Sequence, residues 1–429
     1  MPHLHPNLHR RGLIQAVAGT AACWASSALW AASSEPGLPE GRLIVVFLRG
    51  AYDGLSALVP HGDAYYYRLR PNIAIAPPDG TAQTTLALDK TFGLHPALEP
   101  LLPLWQKGVL AVIPSAGSPD PTRSHFDAQH HWEIGVPGKS SGAPGWLNGL
   151  AGLRAQTSVS NNAHIPNAVG VGEANPAILG GPVPVQLVPR GDAATKEGAL
   201  ADARTRNAVM SLYSGQDALS RSFQVGAQSR MQTAKTLNEG MVDSAMESAQ
   251  MMAASNGAGS AKGLVLDAQH LGTLMRKDPY LRIGFLSAGG WDTHANQGNQ
   301  TGTLANNLGN LAQALVQLRK DFSGPDDVIV VMSEFGRTSA ENGTQGTDHG
   351  HGNALWVLGN RVQGGRWHGN WNGLASERLH EGRDLPVHHD FRGVLAQVLR
   401  SSQGLSALQV NTLFPGYTWD SALNNLMRA

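Results

Sequence analysis

The sequence is poor in cysteine and in charge, and both shortages limit what the protein can do. Cys23 is the only cysteine among 429 residues, and it lies in an N-terminal stretch that we expect to be removed. A mature chain without thiols excludes cysteine nucleophiles, cysteine-ligated zinc sites and disulfide bonds. Charged residues make up 15% of the chain, and 32 basic side chains balance 32 acidic ones. With no net charge and no basic motif, binding to nucleic acid is not expected.

The N-terminus has the pattern of a twin-arginine export signal. Arg10 and Arg11 precede an apolar, alanine-rich stretch that ends in small residues. The stretch is short and interrupted by polar side chains, which argues against a permanent membrane anchor. Lipidation at Cys23 is disfavoured, because Thr20 stands where leucine is usual. We therefore predict a signal peptide over residues 1–33, a periplasmic or secreted location, and no stable membrane span after cleavage.

Continuous apolar runs predict a largely parallel sheet. Runs of this kind are typical of strands that are buried on both faces. A leucine pattern spaced four and three residues apart, from Leu304 to Leu318, predicts a helix between the third and fourth runs. The order strand, helix, strand favours helices on both faces of the sheet. The runs are Arg42–Leu48, Gly108–Pro114, Arg282–Leu286, Val328–Met332 and, as a fifth candidate, Ala354–Leu358.

The remainder of the chain is predicted to form one domain with an insertion. Residues 34–429 are near the upper length for a single α/β domain. Within them, residues from about 195 to 263 are rich in Ala, Met, Gln and Ser and contain no strand-like run. We predict a helical insertion there.

Two short clusters, Gly289–His294 and Gly346–His351, place a carboxylate beside imidazole on glycine-rich chain. Aspartate and histidine together suit zinc, manganese or iron. In open parallel sheets, ligands bind beyond the C-terminal ends of the strands, where these clusters lie. We predict one or two divalent ions, zinc or manganese, although the histidines could instead be structural and Asp53 could set a turn. The predicted metal ligands are Asp53, Asp292, His294, Asp348, His349 and His351.

Three further residues are candidates for catalysis. Ser124 lies after the second run, where a helix is expected to begin, so it is either a nucleophile or a helix cap. Arg123 and Arg337 either hold the oxygens of an anionic group or form structural ion pairs. Glu334 either binds metal or orients a metal ligand.

Six motifs resemble the bacterial family known as domain of unknown function 1501. The resemblance covers nearly the whole mature chain, and it implies an alkaline-phosphatase-like fold and twin-arginine export without assigning an activity. The wider superfamily contains phosphatases, sulfatases, phosphodiesterases and phosphoglycerate mutases. Its members use an Asp after the first strand, a nucleophile at a helix start and later Asp/His pairs. The motifs are Phe47–Pro60, Phe92–Pro96, Arg123–Asp127, Gly290–His294, Ser333–Thr338 and Gly346–Gly350.

By that resemblance Asp53, Ser124 and the two Asp/His pairs would take the superfamily roles, but the sequence departs from the pattern. Asp292 and His294 are two residues apart, where phosphatases usually have four. The Asp-His-Gly motif comes late, after Ser-Glu-Phe-Gly. A final histidine ligand is ambiguous among His351, His388 and His389. Pro119 occupies the place of the cysteine that sulfatases convert to formylglycine, which argues against a formylglycine sulfatase.

The sequence thus predicts an exported metal-dependent hydrolase or transferase of phosphoryl or related esters, in a small molecule or a polymer. The attacking group would be Ser124 or a water activated by metal. The alternative is a non-catalytic envelope protein that keeps the fold for binding.

Overall fold

The computed structural model describes residues 41–139, 142–157, 166–240 and 258–428. These residues belong to one compact unit. The predicted signal peptide, with Arg10, Arg11 and Cys23, lies outside the described residues. Among the helices that are described, none is both long enough and apolar enough to cross a bilayer.

The strands of the described chain form two sheets. They are β1 Leu43–Leu48, β2 Leu58–Val59, β3 Leu86–Ala87, β4 Gly93–Leu94, β5 Leu110–Gly117, β6 Ala168–Val171, β7 Gln186–Val188, β8 Ile283–Ala288, β9 Val328–Met332, β10 Asn353–Gly359, β11 Arg366–Trp367 and β12 His389–Asp390. Nine of these strands form the central sheet, in the order β11-β5-β10-β9-β1-β8-β6-β7, with β12 beside β5. Three two-residue strands form a small second sheet in the order β2-β4-β3.

The sheet is mostly parallel, as predicted. In its centre Val45 of β1 pairs with Phe285 of β8 on one side and Val330 of β9 on the other. All six residues of β1 are buried, which explains why the strand reads as an unbroken apolar run. The exception is β10, which runs antiparallel to both β5 and β9. The chain returns from β9 into β10 without a crossover helix, and such a connection leaves the next strand antiparallel.

Helices cover both faces of the sheet, which confirms the predicted fold class. On one face, Ile44 and Val46 join a core cluster with the leucines of α8 and α9. On the other face, the Phe47 ring lies 6.2 Å from that of Trp132 in α4, and Trp132 stacks on Phe391 of α10. The helices are α1 Gly54–Ala57, α2 Ala64–Leu69, α3 Leu102–Gln106, α4 His125–Ile134, α5 Trp146–Thr157, α6 Ala203–Leu212, α7 Ala218–Gly240, α8 Leu264–Lys277, α9 Thr303–Asp321, α10 Phe391–Ser402 and α11 Ala407–Leu413.

Two helices lie in the segment where a helical insertion is predicted. α7 packs against α8 and against β7, the last strand of the sheet, so it flanks the edge of the sheet. No residue of α6 is buried. Residues 241–257 lie outside the described chain, and the limits of the insertion remain a prediction.

Candidate metal centre

Three loops at the C-terminal edge of the parallel strands bring imidazole and carboxylate groups together. His125 begins α4 after β5, Asp292 and His294 follow β8, and His349 lies between β9 and β10. Glu334 follows β9 directly and is fully buried. Parallel strands carry all of these loops to one edge, which is where ligands bind in open α/β sheets.

Three imidazoles and one carboxylate converge. The Nε2 atom of His349 lies 3.0 Å from the Nε2 atom of His125 and 3.0 Å from that of His294. Asp292 Oδ1 is 2.9 Å from His294 Nε2 and 3.2 Å from His349 Nε2. Asp292 Oδ2 is 3.4 Å from His125 Nε2. His125, Asp292 and His349 each offer a ligand atom, and these three atoms lie within 4.8 Å of one another.

The outer nitrogen of each ring faces a group that can only accept a hydrogen bond. Nδ1 of His125 lies 2.7 Å from Glu334 Oε1, and Nδ1 of His349 lies 2.9 Å from the carbonyl oxygen of Arg123. Nδ1 of His294 lies 3.3 Å from Asp348 Oδ1. Each Nδ1 therefore carries the hydrogen, and a neutral ring keeps its lone pair on Nε2. Lone pairs that face each other at 3.0 Å need a cation or a proton between them.

Neighbouring polar and charged groups determine the charge states of the residues around the centre. Burial alone would raise the pKa of Asp292, but contacts with His125, His349 and Arg337 outweigh it and hold that pKa far below its usual value. Glu334 is likewise kept ionised: burial opposes its charge, and His125 with Gln129 lowers its pKa. Burial would lower the pKa of His125, but Asp292 and Glu334 raise it to about 9. When no metal ion is bound, a proton on His125 therefore takes the place of the cation between the facing groups.

Of the six predicted ligands, Asp292, His294 and His349 are brought together. Asp348 supports the outer side of His294 and is also bonded by the side-chain amide of Asn342 at 3.0 Å. His125, the third imidazole of the group, was not among the predicted ligands. It stands next to Ser124 in the motif Arg123–Asp127, so its adjacency to a predicted site residue was the only signal.

Asp53 is placed apart from this group of ligand atoms and is already neutralised. Arg70 reaches both carboxylate oxygens, with Nη1 at 2.6 Å and Nη2 at 3.0 Å. Ser56 and Gln297 also bond Oδ2, at 2.7 and 2.8 Å. Both Asp53 and Arg70 are fully buried. The guanidinium of Arg70 therefore supplies a positive charge at the place where a metal ion was predicted.

His351 also lies outside the group. Its ring packs against the tilted ring of His380, with the centroids 4.5 Å apart. The other candidates for a final ligand have structural contacts. His389 Nδ1 lies 2.6 Å from Asp420 Oδ2, and its Nε2 accepts from the backbone N–H of Asn370. His388 Nε2 lies 3.0 Å from the side-chain amide of Asn372.

The three predicted catalytic residues all have structural partners. Ser124 is the N-cap of α4, where its hydroxyl accepts from the backbone N–H of Asp127 at 3.4 Å. Arg123 donates to Glu381 at 2.7 Å and to Asp384 at 2.8 Å. Ser124 and Arg123 nevertheless remain next to the centre, since they precede His125 directly.

Arg337 supports the centre through its contact with Asp292. Its side chain is fully buried, and Nη2 donates to Asp292 Oδ1 at 2.6 Å. The rest of the guanidinium bonds the backbone carbonyls of Gly50, Ala51, Trp291 and Thr347. With these contacts Arg337 orients Asp292 and has little freedom to clamp a substrate.

Comparisons with known proteins give one matching family and a few solved structures that align at low similarity. The model of the family described as "Protein of unknown function (DUF1501)" matches residues 40–414. No curated protein sequence matches significantly. An alkaline phosphatase from the Antarctic bacterium TAB5 aligns at 10% identity over 77% of this chain and 94% of its own, with a TM-score of 0.34.

Two further structures align at a similar level. The C-terminal periplasmic domain of EcEptC from Escherichia coli, solved in complex with zinc, aligns at 10% identity over 75% of this chain and 76% of its own, with a TM-score of 0.32. The alkaline phosphatase PafA aligns at 10% identity over 71% of this chain and 64% of its own, also with a TM-score of 0.32. Similarity at this level transfers neither an activity nor a metal to this chain.

Proposed function

The chain belongs to the family of proteins of unknown function DUF1501, and we propose that it is an exported, metal-dependent hydrolase or transferase of phosphoryl or related esters. One observation carries the proposal. Three imidazoles direct their Nε2 atoms at the carboxylate of Asp292, while their Nδ1 atoms lie against acceptors. This arrangement fits a divalent cation with His125, Asp292, His294 and His349 as ligands, and Glu334 as the group that orients His125.

The donor set indicates which ion would fit. Three nitrogens and one carboxylate oxygen suit zinc first and manganese second. A cation held there would polarise an ester oxygen and offset the charge that develops on it during transfer. The protein's own contribution is rigid placement: Arg337 and Glu334 are both buried, and each holds one of the ligands.

The groups around the centre suit an anionic substrate. Ser124 and the first N–H groups of α4 lie beside His125, and a helix N-terminus favours negative charge. Ser124 would act as the nucleophile if its hydroxyl leaves the cap; otherwise water attacks. Arg123 is only partly exposed and is paired with Glu381. It would have to release Glu381 before its guanidinium could bind an oxygen of the substrate.

Metal analysis combined with ester turnover tests the proposal. The protein is purified after native export, its metal content is measured, and phosphate mono- and diesters are assayed with and without chelator. We expect at least one tightly bound zinc or manganese ion per chain and turnover that chelation abolishes. A chain that folds, binds no divalent ion after loading and leaves every ester intact would contradict it.

A second function is favoured by a specific observation. Arg70 neutralises Asp53, and Ser124 caps a helix, so two residues expected to perform chemistry are engaged structurally. The fold and the metal centre would then serve to bind an envelope polymer or protein without turnover. A metal-loaded wild type that is inert across the ester panel would favour this function.

Export is proposed from the sequence alone. If Arg10 and Arg11 direct twin-arginine transport, replacing both with Lys should leave the precursor in the cytoplasm, as fractionation would show. Periplasmic delivery of that variant at the wild-type level would contradict twin-arginine export.

A further inference from the structure

One face of α4 connects the candidate metal centre to a buried arginine. His125, Gln129 and Glu133 are spaced four residues apart in α4, so their side chains lie on the same side of the helix. Gln129 and Glu133 are both buried, and Glu133 Oε1 accepts from Nη2 of Arg49 at 2.8 Å. This helix face therefore carries a proposed ligand at one end and an ion pair at the other, with Gln129 between them.

Arg49 lies directly after β1, is fully buried and has fixed partners. Its Nη2 donates to Glu173 Oε2 at 2.9 Å, and its Nε donates to the other oxygen of Glu173. Its Nη1 donates to Gln129 Oε1 at 2.8 Å. A guanidinium that is bound through two of its nitrogens to one carboxylate has a fixed plane, so the direction of Nη1 is fixed as well.

Arg49 determines which way the side-chain amide of Gln129 faces. A guanidinium only donates hydrogen bonds, so the amide oxygen of Gln129 must face Arg49 and the NH2 group must face the opposite side. On that side Nε2 of Gln129 donates to Glu334 Oε1 at 2.9 Å. The same oxygen accepts from the backbone N–H of Gly50 at 2.7 Å and lies 2.7 Å from Nδ1 of His125. Three donors thus meet at one carboxylate oxygen, and Gly50 and Gln129 are both held next to Arg49.

We propose that Gln129 is a positioning residue of the metal centre and that Arg49 acts through it. The amide of Gln129 fixes Oε1 of Glu334, and this oxygen fixes the ring of His125 with Nε2 towards the ion. Removing a group that orients the ligands of a metal ion typically weakens metal binding by roughly 10- to 100-fold. The inference rests on the proposed metal centre, but it does not depend on ester hydrolysis.

Matched variants at two buried amides test the role of Gln129. Q129M removes the amide and keeps the approximate volume of the side chain. N148L makes the corresponding change at a buried amide whose Nδ2 donates to the carbonyl oxygens of Leu179 and Val183. For the full exported chain, competition with a chromophoric chelator measures the zinc affinity, and the visible spectrum of the Co(II) form reports the ligand geometry.

Positioning and folding give different results in these measurements. We expect Q129M to bind zinc about 10- to 100-fold more weakly than the wild type and to change the Co(II) spectrum, whereas N148L should keep the affinity and spectrum of the wild type. Both variants lose buried hydrogen bonds, so both should unfold at a lower urea concentration as metal-free proteins. A loss of stability alone would therefore not produce the zinc result.

Because Q129M could fold poorly, R49K serves as a second test. Lysine keeps a positive charge beside Glu133 and Glu173, but it cannot reproduce the forked donor geometry that orients the amide of Gln129. R49K should weaken zinc binding by less than Q129M and change the Co(II) spectrum in the same direction. Wild-type affinity and spectrum in R49K would contradict the role of Arg49.

The outcomes separate this inference from the proposed function. Wild-type zinc affinity and an unchanged Co(II) spectrum in Q129M would overturn the inference and leave the metal centre intact. An equal loss of zinc affinity in Q129M and N148L would also overturn it, because the effect would then come from stability. A wild type that binds zinc and hydrolyses no ester would contradict the hydrolase alone, and a wild type that binds neither ion would overturn both.

Discussion

The candidate metal centre and the Asp53–Arg70 pair begin from the same kind of sequence signal and have different structural roles. Asp53 follows β1 and Asp292 follows β8, two neighbouring parallel strands, and both were predicted to bind metal. Asp53 is enclosed by Arg70 with both oxygens bonded, while Asp292 faces three imidazole nitrogens. Each carboxylate has a buried arginine, but Arg70 donates to both oxygens of Asp53, whereas Arg337 donates only to Oδ1 of Asp292. A carboxylate at a strand end is therefore available to a metal ion only when its internal cation leaves an oxygen free.

The largest expected effect comes from removing the imidazoles of the first centre. H125A/H349A takes away two of four proposed ligands, so one tightly bound ion and any ester turnover should be lost, the turnover by at least about a thousandfold. Elemental analysis and ester assays measure both. The control is H61A, which removes an exposed imidazole whose Nε2 atom contacts the Asp89 carbonyl oxygen. Wild-type turnover in the double variant would refute this centre as the catalytic site.

Breaking the Asp53–Arg70 pair tests the other half of the comparison. R70A leaves a buried carboxylate without its partner, and such a change destabilises a protein by about 3–5 kcal/mol. Urea unfolding of metal-free protein measures it. The double variant D53N/R70Q removes both charges and should recover part of the loss. If the internal cation is what keeps metal away, zinc should raise the melting temperature of R70A by more than it raises that of the wild type.

The pH dependence of the metal-free protein gives a smaller effect. The folded-state pKa of His125 is about 9, above the ordinary value of about 6.5 in the unfolded chain. The protonated ring therefore stabilises the fold fully below about pH 6.5, and this contribution fades as the pH rises through about 9. We expect the melting temperature of chelator-treated wild type to fall across that interval more than that of H125Q. Parallel curves for the two proteins would contradict the assignment.

The smallest expected effect concerns Ser124. As a helix cap its hydroxyl contributes about 1 kcal/mol, so S124A should lower the unfolding free energy by that amount. If Ser124 is also the nucleophile, S124A cuts ester hydrolysis by orders of magnitude while the metal content stays normal. S124G, which still allows a helix N-cap conformation, separates the two roles, because it should restore stability without restoring turnover.

Much of the fold was predictable because a strand that is buried on both faces has a continuous apolar sequence. The strands β1, β8 and β9 were located within one or two residues, since each is buried on both faces and reads as an apolar run. The strands β6 and β7 were missed. β6 spans four residues around Gly170, and β7 is three residues long, so neither produces a distinct pattern.

By itself, the sequence determined the parallel core and the loops on which metal ligands would lie. Those properties follow from composition and from the local spacing of apolar and polar residues, and both can be read directly along the chain. The tertiary structure decided which residues meet. It brought His125 opposite His349, 224 residues away along the chain, and set Arg70 against Asp53. It also separated His351 from its neighbour His349. Contacts of this kind depend on how the loops pack in three dimensions, and no local pattern in the sequence encodes that packing.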